Sequence, residues 1–202
     1  MVSSFSALVK ENKCNIINSS QHKDLALCFV IFASVIVAGC FSAVFDQLIY
    51  SVSPEYYTMN RVHDFWFGRV GLDRIVGPDG EVEIIAGNRL GVAGEGILSF
   101  WWVGLMGGLV LGIFGIFNHY ISDMLKHTAR AGLVILVIVI LVATIGYIIG
   151  MAGGYDNYSV PNDNLNDPRA YRTAGMMHIF KGIGALLGIP VGLIYVLRLL
   201  KG

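Results

Sequence analysis

Three stretches of 21 residues, Leu25 to Phe45, Ile97 to Phe117 and Ala131 to Met151, contain no formally charged side chain. Wound as helices, each covers ~31 Å, about the thickness of a bilayer's hydrocarbon core. A fourth run, Ala174 to Leu197, is as long and carries His178 and Lys181 near its start. Inside hydrocarbon every backbone N–H and C=O must be satisfied within the protein, so runs of this length predict helices. The expected fold is an all-α membrane protein, a four-transmembrane-helix bundle in a single integral domain over 1–202. With 14% charged residues, the chain falls well below the roughly one quarter of ordinary soluble domains. Its 14 basic and 14 acidic residues cancel, and no basic cluster is dense enough for a polyanion, which argues against a nucleic-acid partner.

Four spans put both termini on one side. Lys10, Lys13 and Lys23, Lys126 and Arg130, and Arg198 and Lys201 lie in compact basic segments, whereas the first and third connections spread their basic residues thinly and hold most of the carboxylates. Basic density in short loops predicts cytoplasmic termini. Val37-Ala38-Gly39-Cys40 also reads as a lipoprotein cleavage box, but the apolar run continues through Phe45 and favours an uncleaved helix. Cys14, Cys28 and Cys40 are too far apart for a disulfide framework, and the last two are expected as small buried hydrophobes.

Apolar side chains gain little by leaving lipid for one another, so membrane helices associate through small residues that let backbones approach. Ser34, Ala38 and Ser42; Gly104, Gly108 and Gly112; Gly146, Gly150 and Gly154; and Gly184, Gly188 and Gly192 each step by four residues and share a helix face. A closely packed bundle is expected, with a kink at Pro190, which lacks a backbone donor.

Between the first two spans, an extramembrane insertion of about 52–94 begins with Ser53-Pro54-Glu55, a cap, a first-turn proline and a carboxylate at the positive helix end. Tyr56, Met59, His63, Trp66 and Val70 then recur at helical spacing, which predicts an interfacial amphipathic helix of about four turns. Ile75-Val76 and Val82 to Ile85 flank Gly77-Pro78-Asp79-Gly80 and predict a small β-hairpin. Trp101 and Trp102 are expected as interfacial anchors. Asp167-Pro168 predicts that the last helix starts two or three turns outside the membrane.

On this topology Asp46, Glu55, His63, Glu95 and His178 belong to the outer side. Imidazoles and carboxylates ligate transition metals, and bundles can gather them from several helices. His63, His178, Glu55 and Glu95 are therefore the candidate metal or haem ligands, although no metal- or haem-binding motif accompanies them. Lys181 and Asp46 are the intramembrane polar residues. An ammonium at that depth costs ~3 kcal/mol on insertion scales, so Lys181 must snorkel outward or pair with Glu95 or Asp46. His119 and His127 flank the cytoplasmic connection and are expected as exposed loop residues. Neither a phosphate-cradling loop nor a nucleophile elbow is present.

The run Asp46-Gln47-Leu48-Ile49-Tyr50-Ser51-Val52-Ser53-Pro54-Glu55-Tyr56-Tyr57-Thr58, with Trp101-Trp102-Val103-Gly104 and Gly175-Met176-Met177-His178, resembles a family of small uncharacterised bacterial four-helix integral membrane proteins. That resemblance implies a bacterial inner-membrane location and carries no activity with it. The leading expectation is a non-enzymatic structural or accessory protein that presents its aromatic outer segment to a membrane partner or to its own copy. A metal- or haem-binding redox protein is the first alternative. A small transporter or channel, suggested by Lys181 and Pro190, is the second.

Overall fold

The computed structural model describes residues 2–59, 74–76, 82–84, 89–118, 120–153 and 166–200. The described chain is helical apart from two short strands. Helix α1 covers Val2–Val52, α2 Pro54–Met59, α3 Arg89–Gly115, α4 Ile121–Met151 and α5 Pro168–Leu199. Four helices are long and apolar enough to cross a membrane: α1 from His22 onward, α3, α4 and α5. They make the chain an integral membrane protein with a four-helix core.

Local chemistry sets several boundaries. The Asp167 carboxylate accepts from Ala170 N at 2.9 Å and Pro168 takes the first helical position, so α5 starts well before its apolar run, as the capping pair predicts. Asp123 sits in the first turn of α4, where a carboxylate meets the positive helix end. Between α3 and α4 the chain turns tightly: Asn118 Nδ2 donates to Gly115 O at 2.8 Å, and the Lys23 ammonium donates to Asn118 O at 2.9 Å. That cation satisfies carbonyls left over at the end of α3. His127, expected as an exposed loop residue, is instead half-buried on α4 with Nδ1 2.9 Å from Asn118 Oδ1. His119 lies outside the described residues.

Strands β1 (Arg74–Val76) and β2 (Val82–Ile84) pair antiparallel, with Arg74 opposite Ile84. Three residue pairs are too few to form an independently stable unit in water. The expected extramembrane hairpin goes no further than these pairs, and its Gly77–Gly80 turn lies outside the described residues. The amphipathic helix is described only as Pro54–Met59; His63, Trp66 and Val70 also lie outside the described residues.

The small-residue stripes close two helix pairs and not a uniform four-way bundle. A Cβ on Gly104 would lie 2.4 Å from Ser34 O, and one on Gly108 2.9 Å from Ser34 Cβ, so α3 lies directly against α1. A Cβ on Gly146 would meet Met176 O at 2.7 Å, on Gly150 Thr173 Cα at 2.5 Å and on Gly184 Val139 Cα at 2.8 Å, so α4 lies directly against α5. Glycine removes the side chain that would hold these backbones apart.

Between the two pairs, packing is continuous at one end. Phe45, Ile49, Tyr50, Val92, Ala143, Tyr171 and Ala174 form a single buried cluster with Tyr56 and Tyr57. Further along the bundle the pairs part around an apolar cleft of about 510 Å³ bounded by α1, α3, α4 and Ile189 of α5. Large apolar side chains such as Phe32, Leu141 and Leu186 project outward, as a lipid-facing surface requires. Cys28 and Cys40, expected to be buried, are exposed on α1 as free thiols, because the buried face of that helix is taken by Ala26, Val30, Ala38 and Ser42.

Candidate functional site

The polar centre of the molecule is built by residues four apart on α1 and three apart on α5. Ser42 and Asp46 lie one turn from each other on the inner face of α1, and His178 and Lys181 one turn from each other on α5. The Lys181 ammonium donates to Asp46 Oδ1 at 2.5 Å and to Ser42 Oγ at 3.0 Å. Of the alternatives open to this lysine, it takes Asp46, with side-chain exposures of 2% and 0% for the pair. Neither charge reaches water, so each is the other's principal source of stabilisation. Phe100 of α3 sits with its ring 5.2 Å from the ammonium, a cation–π distance.

Two further elements close around Asp46. A Cβ on Gly96 would lie 2.9 Å from Asp46 Oδ2 and 2.8 Å from Ala43 Cα, so only glycine lets α3 cross α1 at the carboxylate. From α2, the buried Tyr57 hydroxyl interacts with the same carboxylate. Burial, then the Asp46 charge and then Tyr56, push the Tyr57 phenol above its ordinary value, which keeps it protonated and able to donate.

Around this centre runs an aromatic collar. The Tyr56 ring lies 5.3 Å from Tyr57, 5.6 Å from Tyr171 and 5.9 Å from His178. Tyr50 lies 6.1 Å from Tyr57 and under the Arg89 guanidinium at 5.2 Å. Tyr56 and Tyr57 are therefore not headgroup anchors; they face the helices that meet here, and both are almost fully buried. His178 Nδ1 is 4.0 Å from Asp46 Oδ1, outside hydrogen-bond range, with its side chain 26% exposed.

At the rim, described residues that flank the connections are fastened to one another. Glu55 Oε1 accepts from Asn166 N at 3.1 Å and Asn166 Nδ2 at 2.6 Å, across 111 residues of sequence. Gln47 Nε2 donates to Arg89 O at 2.7 Å. The Arg169 guanidinium donates to Met151 O, joining the end of α4 to the start of α5.

Of the four candidate metal ligands, His63 lies outside the described residues. Glu55 is engaged by Asn166, Glu95 is buried on α3 beside Gly96, and His178 lies tilted against Tyr56. Among the described residues no three His, Cys, Asp or Glu side chains gather into a metal-binding group. What the arrangement does instead is lock α1, α2, α3 and α5 around one buried ion pair. Sequence reasoning singled out Asp46 and Lys181 but missed Gly96, Tyr171 and the polar role of Ser42. The four-residue step from Ser42 to Asp46 was the available signal for the last of these.

No protein family, curated protein or solved structure matches this chain.

Proposed function

We propose that this is a non-enzymatic membrane protein of the structural or accessory type, which holds its two outer connections on a rigid platform for a partner protein or a second copy of itself. The observation that carries this reading is the Glu55–Asn166 tie together with the tyrosine collar. Residues 60–88 follow α2 in sequence and residues 154–165 precede Asn166, and the described residues at both junctions, Glu55 and Asn166, are tied together beside the buried centre. A surface presented on rigid, well-supported elements loses less freedom on association than one carried on loose loops. The basic compact segments support cytoplasmic termini, and the family resemblance supports a bacterial inner membrane, with the platform on the far side.

Size and mass spectrometry of the full chain, extracted from its own membrane in mild detergent, test the proposal. A stoichiometric partner or a defined homo-oligomer is expected, and charge-reversed residues in 60–73 should dissolve it while helix content stays unchanged. A lone monomer in every mild detergent would overturn it.

A further inference from the structure

We draw no further inference here: the strongest candidate, the apolar cleft of about 510 Å³ between the two helix pairs around Gly107 and Gly132, carries nothing, because nothing in the structure shows what occupies it.

Discussion

Along the seam between the two helix pairs, one region is charged and closed while the next is apolar and open. At the end that carries α2, Asp46, Lys181, Ser42 and Tyr57 bring α1, α2 and α5 onto one ion pair, and Gly96 lets α3 touch it. Further along, the helices enclose an apolar cleft around Gly107 and Gly132 while packing through Ala38, Phe100, Val103, Val139 and Ala185. The difference teaches what holds such a bundle in register. Within each pair, close backbone packing suffices. Between pairs, buried apolar clusters also join the helices, and the polar cluster adds a constraint on which helices face which, because a buried charge tolerates only its partner.

The largest effect should come from breaking that cluster on one side. Lys181→Met leaves the Asp46 carboxylate buried without its cation, and a loss of about 3–5 kcal/mol is expected. Thermal unfolding in detergent, followed by far-UV circular dichroism, measures it. Adding Asp46→Asn removes the uncompensated charge and should restore most of the loss. A single variant as stable as the parent would show that the pair does not join the helix pairs.

Glycine substitutions sharpen the same contrast with opposite signs. Gly104→Ala drives a Cβ to within 2.4 Å of Ser34 O and should cost about 1–3 kcal/mol as α1 and α3 are forced apart. Gly132→Ala meets nothing and should stabilise by about 0.5–1 kcal/mol through helix propensity alone. Equal effects in the same unfolding assay would mean that the two glycine classes are not distinct.

These positions also mark how far sequence alone reaches. The four spans were legible because an uncharged run of bilayer length has one helical solution, and the Asp167 cap because capping is local. Lys181 was legible as a residue in need of a partner. Its partner was narrowed to Glu95 or Asp46, and the choice between them was not legible, since nothing in spacing along α5 says which helix crosses it. Gly96 and Gly132 look alike as letters, and only the tertiary crossing makes one a contact and the other a gap. Tyr56 and Tyr57 read as membrane-surface residues because amphipathicity reports an apolar face without naming the medium it meets.

Removing the Tyr57 hydroxyl should have a smaller effect, confined to the end that carries α2. Tyr57→Phe keeps the buried ring and loses one hydrogen-bonding group, so about 1 kcal/mol is expected. The pH dependence has a fixed sign. Because burial and Asp46 raise this phenol, the folded state holds its proton more tightly than the unfolded state. The resulting stability is complete below the ordinary phenol value near ~10 and declines as pH rises beyond it. Parent and Tyr57→Phe unfolding midpoints should therefore converge in strong alkali, while a gap independent of pH would assign the effect to packing.

The smallest effect tests whether the platform at the rim is rigid through its own tie or through the centre beneath it. Glu55 and Asn166 meet at the exposed edge, where a charged contact contributes at most about 1 kcal/mol. Asn166→Ala should leave the global unfolding midpoint almost unmoved. Hydrogen exchange at the first turns of α5, near Ala170, should nevertheless quicken, because the α2 contact that steadies this helix start is gone. Exchange at Thr173 and beyond should stay slow, since Tyr171 still packs on Tyr56. If protection were lost as far as Lys181, the rim would be supporting the buried pair, reversing the hierarchy between the two regions.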